Sequence, residues 1–183
     1  IPSKLLIAPA DAVVEQERAR RLGVRTTVES VDFRGIMRRM RADRAHLRGH
    51  LKEATLALPG LRLIRSPAVF ISPHVVRAGR STLEAPQVFI AAGARPAIPP
   101  TPGLDTIDYL TNDTVLELTE LPESLIIMGG GYIAVEYCHF FAAMGTKVTL
   151  IEMMDRLVTS EEPEVSSALQ QALSRRARTF TGL

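Results

Sequence analysis

Gly129, Gly131 and Ala134 fall in the pattern G-x-G-x-x-A, and the run "GGGYIA" that holds them also contains Gly130, Tyr132 and Ile133. A glycine at the first position permits a turn too tight for a side chain. A glycine at the second lets backbone N–H groups approach a diphosphate at the positive end of a helix. A small residue at the third lets helix and strand pack closely. Glu152 follows about twenty residues later, where a carboxylate can accept hydrogen bonds from an adenosine ribose and repel a 2′-phosphate. The chemistry indicated is dinucleotide binding, with NAD(H) favoured over NADP(H). Arg156 weighs the other way, because it is close enough in sequence to reach such a phosphate, whereas Met153 and Met154 carry no charge.

The elements needed to position these residues are legible around them. Leu125 to Met128 predict a short buried strand, Ile133 to Met144 a helix ended by Gly145, and Lys147 to Ile151 a second strand closed by Glu152. Strand, turn, helix, strand and terminal acid therefore arrive in the order a dinucleotide site requires. Further upstream, Pro2 suits the first turn of a helix, Leu5, Leu6, Val13 and Val14 supply its apolar positions, and Gly23 ends it. Pro9 inside that segment should kink or interrupt it. A second helix is expected from Asp32, a suitable N-cap, to about Leu58, where Pro59-Gly60 stops it. Phe33, Ile36, Met40, Leu47 and Leu51 give that helix one apolar stripe. Residues 61–86 carry short β-type runs broken by Pro67, Pro73 and Gly79, which suggests a small antiparallel excursion. "QVFIAAG" then reads as a strand buried on both faces, "ARPAIPPTPG" as a stiff connector, and residues 105–123 as a linker with a short helical turn.

Composition narrows the alternatives. The chain has 183 residues, of which 46% are hydrophobic and 23% charged, ordinary for a globular protein. No apolar run approaches the roughly 18 residues of a membrane span. Nothing resembles a secretory leader, so a cytoplasmic location is expected and no membrane partner. The single cysteine, Cys138, cannot form an internal disulfide, and packing is its expected role. His46, His50, His74 and His139 show no metal-ligand spacing, so no metal is expected. Arg34, Arg38, Arg39, Arg41, Arg44 and Arg48 crowd one stretch but lie largely between the apolar positions of the second helix, with no interleaved aromatic residues. A solvated helix face accounts for them better than a nucleic-acid surface.

"GGGYIAVE" with "VTLIE", preceded by "VFIAAGARPAIPPTPG" and by "IPSK" at the start, resembles the flavoprotein pyridine nucleotide-disulfide oxidoreductases over nearly the whole chain. Within that family the chain resembles dihydrolipoyl dehydrogenase, and glutathione, mycothione and mercuric reductases are relatives. The resemblance implies an α/β fold of two partial Rossmann-like dinucleotide-binding domains, FAD side at 1–107 and NAD side at 108–183, with the antiparallel excursion in the first. It implies that Ile1 follows the second cysteine of a redox-active pair, that "RTFTGL" is a third strand of the NAD domain, and that the chain is a fragment without the N-terminal FAD motif, the redox cysteines and the C-terminal dimerisation domain.

By position, Lys4 resembles the lysine lying over the flavin and pairing with the glutamate that matches Glu136; these two are the expected catalytic residues. A carboxylate on the first turns of a helix facing a cofactor needs a cation or hydrogen bonds, in agreement with that pairing. Tyr132 resembles a tyrosine that shields the flavin. Ala92, Gly93 and Ala94 match a Thr-Gly-x segment beside FAD, with alanine in place of threonine, and Ala68 resembles a backbone contact to adenine. The implied function is oxidation of a dithiol, dihydrolipoamide first, by way of an enzyme disulfide and FAD to NAD⁺. The implied parent is a homodimer that could serve a 2-oxoacid dehydrogenase complex. The alternatives are an NADPH-dependent reductase of the mycothione, glutathione or mercuric type, and a catalytically inactive fragment that at most binds a nucleotide.

Overall fold

The computed structural model describes residues 2–183. Its elements are helices α1 (Pro2–Arg21) and α2 (Phe33–Leu56), strands β1 (Ala68–Ser72), β2 (Val75–Ala78) and β3 (Ser81–Glu84), strand β4 (Ser124–Met128), helix α3 (Tyr132–Met144), strand β5 (Lys147–Glu152), helix α4 (Pro163–Leu173) and strand β6 (Arg178–Thr181). Two short 3-10 helices, Leu104–Thr106 and Thr114–Glu117, precede β4. Contacts divide the chain into two compact units: residues up to Arg44 together with Gly103–Leu183, and Ala45–Pro102. The architecture is α/β, with one parallel and one antiparallel sheet.

The first unit is built on the parallel sheet β4-β5-β6. Strands that follow one another in both sequence and space need right-handed crossovers running in the same direction, which puts α3 and α4 on one face. The two helices touch, as that requires. Register confirms the two faces: Ile127, Leu150 and Thr179 align on one, Met128, Ile151 and Phe180 on the other. The helix-covered face holds the core, in which Val148 and Leu150 meet Phe140, Phe141 and Met144 of α3. Phe33 of α2 lies 6.1 Å from Phe140 and 6.2 Å from Phe141, centroid to centroid. On the other face Ile126, Met128 and Phe180 remain exposed. The strand at β4 is therefore buried on one side only, where a short buried strand was expected, because the crossovers supply helices to a single face.

Helix α1 runs unbroken through Pro9. The expected interruption does not occur because Leu6 and Ala10 are fully buried against the core, with Leu5 and Val13 packed beside them. That burial offsets the one backbone hydrogen bond that proline cannot make. Asp32 caps α2 as expected, accepting the Gly35 N–H at 2.8 Å. The apolar stripe of α2 is shorter than expected: Phe33, Met37 and Met40 are buried, whereas Leu47 and Leu51 are exposed. Of the clustered arginines, Arg41 donates to the Leu116 and Leu118 carbonyls, Arg44 to Glu117 at 2.7 Å and Arg34 to Glu120 at 3.5 Å. Half of the basic stretch thus fastens α2 to the segment before β4, where a solvated helix face was expected. The Arg44 guanidinium bonded to Glu117 holds that carboxyl below the ordinary carboxylate value.

The second unit carries the antiparallel sheet β1-β2-β3, the expected β excursion, with Val76 paired to Phe70 on one side and Leu83 on the other. Ala78 is its one buried core residue among those described. Residues 87–93 do not form the expected buried strand. Phe89 is 90% and Ile90 76% exposed. A strand buried on both faces needs hydrogen-bonding neighbours and covering helices, and no strand among the described residues pairs with this segment.

Candidate functional site: the glycine turn of β4-α3 and the end of β5

The chain leaves β4 at Met128 and enters α3 at Tyr132 through three glycines, each held differently. Gly129 has φ of +108°, a backbone conformation that glycine adopts without strain. Its N–H donates to the Ile151 carbonyl at 2.8 Å, carrying the parallel pairing one step past β4. Gly130 is buried and tightly surrounded: a Cβ there would stand 2.8 Å from Glu152 Cγ, Glu152 Oε2 and Leu157 Cδ2. Gly131 caps α3 in an extended conformation, and a Cβ on it would meet nothing within 4 Å. The pattern G-x-G-x-x-A gives roles to Gly129, Gly131 and Ala134 and none to Gly130. In the structure the internal crowding falls on Gly130, while Gly131 borders open space.

That space faces the start of α3. No side chain caps the helix, and no acidic residue lies in its first turn. The first N–H groups of a helix have no partners within it and carry the positive end of its dipole. An anion in front of Gly131 would therefore find the amide donors that begin α3, with no carboxylate in that helix's first turn to compete for them, so the turn fits the diphosphate of a dinucleotide. Tyr132 is 70% exposed at the edge of this opening, Ile133 is partly exposed, and Ala134 packs towards the core as its small size allows.

Glu152 ends β5 beside the turn. One carboxylate oxygen accepts the Gly130 N–H and the other accepts the Met154 N–H at 2.7 Å. The carboxylate is thus oriented by two backbone amides, with lone pairs left for further donors such as ribose hydroxyls. Two sets of contacts around the turn were not legible in the sequence. Val158 has φ of 42° and donates its N–H to the Gly130 carbonyl at 2.8 Å. Arg156, the residue that could have reached a phosphate, instead donates to the Glu161 and Thr159 carbonyls and to Ser166 Oγ at 2.7, 2.9 and 2.8 Å. Neither contact has a short-range motif that would have revealed it.

The second group of expected residues divides between the units. Lys4 and Glu136 are brought together: Nζ lies 3.6 Å from Oε1, with the lysine side chain 76% and the glutamate 20% exposed. Beside them His139 Nε2 lies 3.0 Å from Asp11 Oδ1, a second polar link between α3 and α1. Ala68 and Ala92–Ala94 belong to the other unit. Ala68 opens β1 opposite Ala78, and Ala92, Gly93 and Ala94 are exposed, outside any strand, with Gly93 at φ of +74°. Cys138 is fully buried, as expected for a packing residue, and burial pushes its thiol up to about 11. Among the described residues no cluster of His, Cys, Asp and Glu could hold a metal ion, and no helix is long and apolar enough to cross a membrane.

Mercuric reductase from Streptomyces lividans is 35% identical over 93% of this chain and 37% of its own length. Dihydrolipoyl dehydrogenase from Bacillus subtilis is 32% identical over 98% of this chain and 40% of its own. The HOCl-induced flavoprotein disulfide reductase RclA from Escherichia coli superposes with a TM-score of 0.79 at 27% identity, over all of this chain and 39% of that one. The chain therefore spans about two-fifths of the length of these relatives. The family model for pyridine nucleotide-disulphide oxidoreductases matches residues 10–177. With the glycine turn, the parallel strands and the terminal carboxylate in place, this chain belongs to the pyridine nucleotide-disulphide oxidoreductase family.

Proposed function

We propose that this chain is the central part of a dithiol–disulfide oxidoreductase that uses FAD and NAD(H), of the dihydrolipoyl dehydrogenase kind. Its family works with FAD and a pyridine nucleotide. When bound, those two groups supply the redox chemistry, and the protein binds and orients them. The observation that carries the NAD(H) assignment is Glu152, held by the Gly130 and Met154 amides at the end of β5. A fixed carboxylate there accepts ribose hydroxyls and repels a 2′-phosphate.

Each other residue has a stated part. Gly129, Gly130 and Gly131 shape the turn, and the amides that begin α3 at Tyr132, Ile133 and Ala134 hold the diphosphate. Tyr132 covers the opening. The Lys4–Glu136 pair sets a cation beside the flavin, and Ala68 and Ala92–Ala94 offer backbone contacts to FAD. In this reading 1–107 is the FAD side and 108–183 the NAD side. The dithiol exchange needs a pair of reactive cysteines. Cys138 is the only cysteine of the 183 residues and is fully buried, so that pair lies outside them. A homodimer acting on dihydrolipoamide, within a 2-oxoacid dehydrogenase complex in the cytoplasm, completes the proposal.

Titration of the chain with NADH and NADPH tests the nucleotide half, and NADH is expected to bind more tightly by at least about tenfold. Equal binding, or a preference for NADPH, rejects it. The substrate half is tested in the protein that carries the cysteine pair, by NAD⁺ reduction with dihydrolipoamide. The second reading, a mercuric reductase, is favoured by the 35% identity to the Streptomyces lividans enzyme. NADPH oxidation driven by mercuric ion, without dihydrolipoamide activity, would establish it instead.

A further inference from the structure

The loop between β5 and α4 contains the single non-glycine residue with positive φ among those described, Val158 at 42°. A β-branched residue in that conformation persists only where its surroundings impose it. The surroundings are specific. Arg156 spans the loop with both terminal nitrogens: Nη1 donates to the Glu161 carbonyl and to Ser166 Oγ, and Nη2 to the Thr159 carbonyl, at 2.7, 2.8 and 2.9 Å. Ser166, 1% exposed in α4, passes the connection back by donating to the Leu157 carbonyl at 2.7 Å. Leu157 is fully buried, and the next residue, Val158, donates its N–H to the Gly130 carbonyl at 2.8 Å. Gly130 in turn donates to Glu152. A continuous set of bonds therefore runs from Arg156 to the peptide units of the glycine turn.

We infer that Arg156 is a positioning residue for pyridine nucleotide binding: it locks the β5-α4 loop so that Val158 fixes the Gly130 peptide and, through it, the turn and Glu152. This rests on the assignment of the glycine turn as the nucleotide site. It reverses the role that sequence position suggests for Arg156. A guanidinium with both terminal nitrogens turned into its own loop is a brace and not a ligand for a 2′-phosphate. A brace acts on the turn, which NADH and NADPH share. Its loss weakens both nucleotides alike, whereas the loss of a phosphate ligand weakens NADPH alone.

The test uses Arg156→Gln, Arg156→Lys and the milder Ser166→Ala in the full 183-residue chain. Two quantities are read: dissociation constants for NADH and NADPH by nucleotide fluorescence, and amide hydrogen exchange at Gly130 and Val158 without nucleotide. Both arginine variants are expected to weaken NADH and NADPH by a similar factor, about tenfold, because lysine keeps the charge but cannot form the forked contact. Exchange at Gly130 and Val158 should accelerate in all three variants while Cys138, in the middle of α3, keeps its protection. Loss confined to NADPH overturns the inference, and so does unchanged exchange at Val158. If the unsubstituted chain binds neither nucleotide, the functional proposal fails, and the exchange data still decide whether Arg156 braces the turn.

Discussion

Lys4 Nζ stands 3.6 Å from Glu136 Oε1, so the first turn of α1 and the second turn of α3 share an ion pair at the end of the helices nearest the glycine turn. The lysine is three-quarters exposed, and water screens such a pair to about 0–1 kcal/mol. Its contribution to folding is therefore small, and any larger effect belongs to function. Lys4→Met is expected to lower stability in urea unfolding by less than about 1 kcal/mol. In the flavin-containing protein it should slow turnover by about tenfold or more, the range of one lost electrostatic contact at a reacting centre. A large stability loss with normal turnover would show the pair to be structural.

The adjacent glycines Gly130 and Gly131 are predicted to respond oppositely to the same added methyl group. At Gly130 it would press on Glu152 and Leu157 at 2.8 Å, and overpacking of this kind costs about 1–3 kcal/mol. At Gly131 it would enter open space, which leaves the fold intact but fills the place where a diphosphate would approach the amides. Gly130→Ala should lower the melting temperature and weaken NADH binding together. Gly131→Ala should melt within about 0.5 kcal/mol of the unsubstituted chain and still bind NADH at least about tenfold less tightly. Thermal unfolding and NADH titration on the two variants check this; unaltered NADH binding by Gly131→Ala would remove the turn from the site.

The local part of this site was legible because its signals are local. The β4-turn-α3-β5 order and Glu152 follow from glycine spacing, period and strand length, which neighbouring residues encode. Lys4 meeting Glu136 follows only from resemblance, since no periodicity links α1 to α3. What the sequence misassigned depends on neighbours that pattern does not specify. The apolar run Val88-Phe89-Ile90 signals a requirement for partner strands but does not provide them. The exposure of Ile126 and Met128 depends on which face both crossovers take. The crowding at Gly130 comes from Glu152 and Leu157 folding back over it, and any residue of suitable reach would leave the glycine pattern unchanged.

Pro9 lies inside α1 without breaking it, which makes the helix a measurable case of propensity opposed by packing. Proline in a helix interior costs about 3 kcal/mol relative to alanine, through the missing hydrogen bond and the crowding of the preceding turn. Leu6 and Ala10, both fully buried, hold the turn in place on either side. Pro9→Ala is therefore expected to stabilise the chain by about 1–3 kcal/mol in chemical denaturation, with no change in nucleotide affinity. Destabilisation would mean that the ring of Pro9 itself supplies packing that alanine cannot replace.

The buried neighbours Tyr137 and Cys138 predict where alkali unfolds the protein. Burial pushes the Cys138 thiol from its ordinary 9.0 up to about 11. Burial, with the negative charges of Asp113 and Glu136, pushes the Tyr137 hydroxyl from 10.0 up to about 12. The tyrosine also donates to the Asn112 carbonyl at 3.1 Å, a bond its ionised form cannot make. Both groups lose a proton more readily in the unfolded chain, so the folded state binds more protons above pH 9 and stability falls as pH rises. Each two-unit shift corresponds to a loss on the order of 2–3 kcal/mol once both states have ionised. Stability should thus hold up to about pH 9, then decline through the window from 9 to 12, with the thiol contributing first. Cys138→Ala should remove the earlier part of the decline and Tyr137→Phe the later part. Urea midpoints measured at half-unit steps of pH check the order; a decline that begins below pH 8 in the unsubstituted chain, or that is the same in both variants, would exclude these two groups as its cause.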